Sequence, residues 1–168
     1  VYAYRREPEH AIPLLEAAHR LQLRLPELDA FEVAVTGTRL GNMLGSMDRP
    51  RSIALFEQSV AAMHGKPDVE ASRLRVASRR FLAGQYSQTD RLGLARQTID
   101  VAIDDAAATL PADDSEVLEL RRELSVYLHA LGQVDLGANL RRSNWEQARS
   151  RLGESHPTTS NLAVALAQ

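Results

Sequence analysis

The sequence predicts an all-α protein, an α-solenoid of about eight helices stacked as antiparallel hairpins, and three observations predict it. Apolar residues step by three or four almost throughout, helix-opening and helix-closing residues bracket the stepping runs, and the pattern returns at a shift of 42 to 48 residues. No stretch alternates apolar and polar residues with turn dipeptides at its ends, so strands have no support. Aromatic residues are only 5 % of the chain while Ala and Leu are plentiful, which suits helices packed through small and unbranched side chains.

Taken in order, the helices are expected at 8–22, 27–46, 50–63, 68–83, 87–107, 114–131, 135–152 and 157–168. Pro8 and Pro50 stand where first-turn prolines belong, and Pro8 to Ala18 resembles Pro50 to Val60. Ile53, Phe56, Val60 and Met63 carry the third helix, which Gly65-Lys66-Pro67 closes. Leu92, Ala95, Ile99 and Ile103 carry the fifth. Val117, Leu120, Leu124, Leu128 and Leu131 carry the sixth, opened by Asp114-Ser115 and closed by Gly132. Leu136, Leu140, Ala148 and Leu152 carry the seventh, and Pro157-Thr158 opens the last. Short connections make successive helices antiparallel neighbours.

A shift of 42 residues lays Leu110 on Leu152, Leu120 on Leu162 and Leu124 on Leu166. A shift of 48 lays Gly84-Gln85 on Gly132-Gln133, Val69 on Val117 and Arg73 on Arg121, with six extra residues assigned to the Ala-rich stretch from Asp104 to Thr109. The repeating unit is therefore a helical hairpin, at 27–63, 68–107 and 114–152, with half-repeats at 8–22 and 157–168. One hairpin cannot bury its apolar stripe alone, so the units stack, and residues 1–168 are expected to form a single repeat domain. The chain starts without Met and inside a repeat, which reads as a fragment of a larger protein.

The segment GQVDLGANLRRSNWEQARSRLGESHP, Gly132 to Pro157, carries a family resemblance. It resembles the 42-residue tetratricopeptide repeats of kinesin light chains and of many bacterial signalling proteins. In them a Gly closes the first helix, a small residue follows five positions later, and the second helix ends in LG-x-x-HP. Here these are Gly132, Gly137 and Leu152-Gly153-Glu154-Ser155-His156-Pro157. The half-repeat from Leu110 matches in length, with Leu124 and Leu128-x-x-Leu131-Gly132, and departs at Pro111, Asp114 and Ser115. Leu40-Gly41-Asn42 and Ser52-Ile53-Ala54-Leu55-Phe56 resemble the general tetratricopeptide pattern with one residue missing at the turn. The resemblance implies a right-handed superhelix and a protein- or peptide-binding module, often a sensor or regulatory region of a bacterial signalling or transcription-regulating protein.

Other classes fare worse. The net charge of −2 gives no basic field to gather phosphates, so nucleic acid is not the expected partner. The chain has no cysteine, and no apolar run is long enough to cross a bilayer, which leaves a cytoplasmic location as the expectation. All but one of its 20 basic residues are Arg, the usage of a GC-rich bacterial genome. His10, His19, His64, His129 and His156 are not spaced as metal ligands, so neither metal nor cofactor is expected. His156 reads as part of the hairpin turn. Asp113 or Asp114 reads as a helix cap, and neither a nucleophile motif nor a phosphate loop is present, so the chain is expected not to be an enzyme. Trp145, off the main stripe of its helix, reads either as inter-repeat packing or as an exposed anchor.

In a solenoid the first helices of successive hairpins line a groove. The shifts above layer Asn42 with Arg79 and Tyr127, Thr38 with Arg75 and Glu123, and Arg73 with Arg121. The arginines could take the carboxylates of an acidic peptide by bidentate hydrogen bonds, or the whole set could be a solvated face of weak intrahelical pairs. Kinesin-light-chain-like repeats commonly hold an Asn at the place of Glu123, where it grips a peptide backbone. The alternative function is an oligomerisation scaffold. Uncapped end helices would expose Leu14 and Leu15, or Leu162, Val164 and Leu166, and favour self-association.

Overall fold

The computed structural model describes residues 8–25 and 27–166, and among these every regular element is a helix. They are α1 (Pro8–Gln22), α2 (Ala30–Leu44), α3 (Arg49–Ala62), α4 (Val69–Ser87), α5 (Leu92–Ala107), α6 (Ser115–Ala130), α7 (Val134–Leu152) and α8 (Pro157–Leu166). The expected end of the last helix at 167–168 lies outside the described residues. The chain forms two compact units, one ending at Gln85 and one beginning at Tyr86.

Carboxylates start several helices. Asp29 accepts from the Phe31 N–H at 3.0 Å, Asp48 from Arg51 at 3.3 Å, Asp68 from Ala71 at 2.7 Å and Asp114 from Glu116 at 2.9 Å. Each satisfies a backbone donor that the first helical turn leaves without a partner, and faces the positive end of the helix. His156 does the same for α8, its Nδ1 accepting from the Thr158 N–H at 3.2 Å.

In the first unit, α1 lies on α2, and α2 and α3 form the tightest hairpin. Ile12 and Leu15 of α1 pack against buried Leu40, Leu44 and Leu55. Phe56 is fully buried where α2 comes close, and a Cβ on Gly41 would stand only 3.0 Å from its ring. Gly41 is thus the socket for Phe56, whose ring also stacks on Phe81 of α4, centroids 5.6 Å apart. Thr38 and Ser78 join α2 to α4 through their hydroxyls at 2.8 Å.

In the second unit, α5, α6, α7 and α8 each pack on the next, and α6 also touches α8. Leu118, Ala148 and Leu162 form a cluster closed by Trp145 and Leu152. Trp145 is half-buried there beneath the Arg149 guanidinium, 5.2 Å from the ring centroid, so its ring serves packing between helices.

The turns correct the repeat register. The Arg91 N–H bonds the Tyr86 carbonyl at 3.0 Å, and the Gln133 N–H bonds the Leu128 carbonyl at 2.9 Å, the same closure 42 residues later. Asp90 takes the left-handed conformation, φ 57°, at the place where Gly132 takes it with φ 79°. Gly84, expected to match Gly132 at a shift of 48, instead lies inside α4, which runs on to Ser87. The spacing from α4 to α6 is therefore 42 along most of the helix, and the extra length is an additional first turn of α4, since the caps Asp68 and Asp114 stand 46 apart. The Ala-rich stretch from Asp104 does not absorb it.

Candidate functional site

The new register rearranges the expected groove layers. Arg79 now corresponds to Arg121, while Arg75 corresponds to Val117, a core position. Arg75 behaves accordingly. It is only 8 % exposed, and its Nη1 donates to the Met63 carbonyl at 2.8 Å, with the Lys66 carbonyl at 3.5 Å. A guanidinium ties down the turn from α3 to α4. Thr38, likewise expected on the groove, is buried and bonded to Ser78. These two side chains do not face solvent: α4 packs against α2 at Thr38, and Arg75 turns inward to the carbonyls that end α3.

What remains open on the first unit flanks the contact between α2 and α4. Asn42, one turn beyond Thr38, and Arg73 are exposed, and Arg79, next to Ser78, is half-buried. Burial disfavours the charged form of Arg79 and pushes its pKa down, and the like charge of Arg75 one turn earlier adds to this. The first sixteen residues of α4 hold four arginines and one carboxylate, Glu70. This is the most cationic helix of the unit.

In the second unit, Arg121 and Glu123 are half-buried and Tyr127 is buried. Arg121 Nη1 donates to Gln147 Oε1 on α7. Burial raises the Tyr127 phenol, and Glu123 raises it further, against a hydrogen bond from Ser87 and the charge of Arg122. Arg122 is raised chiefly by its hydrogen bonds to Glu119. Here the polar residues are already matched, Arg122 within its own helix and Arg121 and Tyr127 with neighbouring ones.

The sequence reading attached no role to His19, yet two clefts of the first unit meet at it. One, about 360 Å³, is lined by Glu16, His19, Arg20, Leu23, Leu40 and Arg51. The other, about 300 Å³, has an apolar wall that includes Leu23, Val33, Leu55 and Ala62. Glu16 and Arg51 form an ion pair across the first. Burial lowers the His19 pKa, and the Arg51 charge lowers it further. The signal in the sequence was Gly37, which lets the ring approach: a Cβ there would stand 3.3 Å from His19 Nε2 and 3.2 Å from Ser59 Oγ. Among the described residues no three His, Asp or Glu converge as metal ligands, and no helix is long and apolar enough to cross a membrane.

No family model and no curated protein matches the chain. Solved structures do. The chain is similar to the nearly identical TPR-like repeats assigned to a kinesin light chain of Podosopora anserina, with a TM-score of 0.82 at 20 % identity, over 99 % of this chain and 78 % of that one. A second structure of those repeats gives 0.80 at 20 % identity, over 99 % and 79 %. BtubC (BKLC) from P. vanneervenii gives 0.76 at 14 % identity, over 92 % of this chain and 62 % of that one. The fold is that of a TPR-like repeat.

Proposed function

We propose that the chain is a protein-recognition module that takes an acidic peptide segment on the face shared by α2 and α4. The observation that carries this reading is the charge of α4, whose first sixteen residues hold four arginines against the single carboxylate of Glu70, with Arg79 half-buried among them. Arg73 on α4 and Asn42 on α2 are exposed, and an amide such as that of Asn42 can bond a peptide backbone. Arg121, Glu123 and Tyr127 are a separate mixed-charge set on α6, in the second unit. The TPR-like fold supports a binding role over catalysis, with neither cofactor nor nucleic acid involved. The reading extends to a regulatory part of a larger signalling or transcription-regulating protein in the cytoplasm, and the preference for Arg over Lys is the usage of a GC-rich bacterial genome.

The test is fluorescence polarisation against an array of Asp/Glu-rich peptides and their Asn/Gln counterparts. Acidic peptides should bind and weaken with salt, and Arg73→Glu with Arg79→Glu should lower affinity at least about tenfold, the size of one lost charged hydrogen bond. Arg75 is left intact, since its loss would loosen the turn it holds. Equal binding by the folded double variant would sink the reading.

A second reading, an oligomerisation scaffold, is favoured by exposed apolar residues, Leu14 and Leu21 on α1 and Val164 and Leu166 on α8. The expected outward residues are only partly those: Leu15 is half-buried against α2, and Leu162 lies in the core.

A further inference from the structure

The cross-links of the first unit define two sides. The Glu16–Arg51 ion pair joins α1 to α3, and the Thr38–Ser78 bond joins α2 to α4. The two clefts that meet at His19 open on the α1–α3 side. In a regular stack the hairpin mate of α1 would join the α2–α4 side, so both clefts are walled by α1, α2, α3 and the turn between the first two. Their walls differ in chemistry. One gathers Arg20, Arg51 and His19 around a single carboxylate, Glu16, which is already paired with Arg51. The other is built from Leu23, Val33, Leu55 and Ala62, with exposed Gln58 beside them. Its Ser59 hydroxyl is engaged by the Ala34 and Leu55 carbonyls. Leu23 and His19 line both clefts, so one elongated molecule can run from the first into the second.

We propose that the joined clefts bind a small carboxylic acid with an unbranched apolar tail, its carboxylate on Arg20 and Arg51 and its tail across Leu23 onto Val33, Leu55 and Ala62. The donors for the acid are free. Only Nη1 of Arg51 bonds Glu16, which leaves Nε and Nη2 for a second carboxylate. Arg20 is exposed and makes no hydrogen bond or ion pair among the described residues. Two arginines against one carboxylate leave this end cationic, and an incoming anion balances it. An inorganic anion would use the arginines and leave the apolar cleft empty, while an alcohol would fill that cleft and leave the arginines without a counter-charge. An acid with a tail satisfies both ends. The clefts, about 360 and 300 Å³, stand near the lower end of the roughly 300–1,000 Å³ of small-molecule sites, which suits a tail of medium length. No residue of α4 takes part, so this site is independent of the peptide face on α2 and α4.

The test follows the His19 imidazole by NMR in the full chain during titration with octanoate, with His19→Gln assigning its signals. The ring signals should shift and saturate. Each methylene added from butanoate to octanoate should tighten binding about fourfold, the value of one buried CH₂. Octan-1-ol should bind at least about tenfold more weakly than octanoate, since it lacks the charged hydrogen bonds. Two substitutions separate the ends, both at exposed positions and both checked for helicity by circular dichroism, Leu23 being 66 % exposed. Arg20→Gln should weaken octanoate and leave octan-1-ol unchanged, whereas Leu23→Asp should weaken both. The absence of any saturable shift would overturn the site. Equal binding of acid and alcohol would overturn the assignment of the arginines. Octanoate binding untouched by Leu23→Asp would overturn the path of the tail and leave only a surface ion pair.

Discussion

The hairpins α2–α3 and α6–α7 solve one packing problem with different chemistry. In each, the second helix touches backbone carbonyls of the first at two points spaced two turns apart. In α2–α3 the points are serines: Ser52 Oγ donates to the Gly41 carbonyl at 2.7 Å, and Ser59 Oγ to the Ala34 carbonyl at 3.1 Å. In α6–α7 the corresponding residues are Gly137 and Asn144, since Ser52 and Gly137 each bond back to the residue capping their helix. Gly137 comes so close that a Cβ would stand 2.8 Å from the Ser125 carbonyl oxygen, while Asn144 Nδ2 reaches the Leu118 carbonyl at 2.8 Å. The lesson is that a close helix pair can be fixed by a bonded hydroxyl or by the absence of a side chain, and each choice sets its own tolerance. At the corresponding places α5 has Ala95 and Ala102, both fully buried.

The largest break should come at Gly137. Gly137→Val must push α7 off the Ser125 carbonyl and should cost about 3 kcal/mol, the upper end for overpacking. Urea unfolding would read it, and a loss below about 1 kcal/mol would mean the contact is slack. Exchanging the second points should be unequal. Ser59→Asn has to fit beside Gly37 and the His19 ring, at a cost of about 2 kcal/mol. Asn144→Ser shortens a buried donor and should cost about 1 kcal/mol. Equal losses would erase the distinction between the hairpins.

Gly84→Ala tests the register. Nothing outside its own helix lies within 4 Å of the added Cβ, so the variant should gain up to about 1 kcal/mol from helix propensity. A helix-closing glycine would lose stability instead. The smallest effect is on pH. His19 has its folded pKa below the ordinary 6.5, so folding favours the neutral ring. Stability of the first unit should hold above that value and fall as pH drops through it, by a modest amount because the ring is only partly buried. Glu16, Arg20 and Arg51 share its cleft, so His19→Gln is the control that should flatten the slope between pH 7 and 5, read by denaturant midpoint.

Much of this was legible in the residues. Periods of three and four located all eight helices, and Asp114 behaved as the cap its position announced. The register between α4 and α6 was misread because glycine was taken as the punctuation, whereas Asp90 supplied the left-handed residue and Gly84 simply continued the helix. Aspartate tolerates that conformation through local hydrogen bonding, so the turn carried no glycine to mark it. The same slip hid Arg75. Its place equals that of Val117, but an arginine in a core position looks solvated until its guanidinium is seen on the Met63 carbonyl. The serine staples were invisible for a related reason: serine at a helix surface and serine between helices have the same spacing.

The placement of Trp145 also divides the molecule optically. It is the single tryptophan of the chain, held against Leu118, Ala148 and Leu162, while Tyr86 and Tyr127 also belong to the second unit. Among the described residues the first unit holds neither chromophore. Tryptophan emission during a melt therefore follows the packing of α6, α7 and α8 alone, and far-ultraviolet dichroism, which weighs every helix, reveals the first unit by difference.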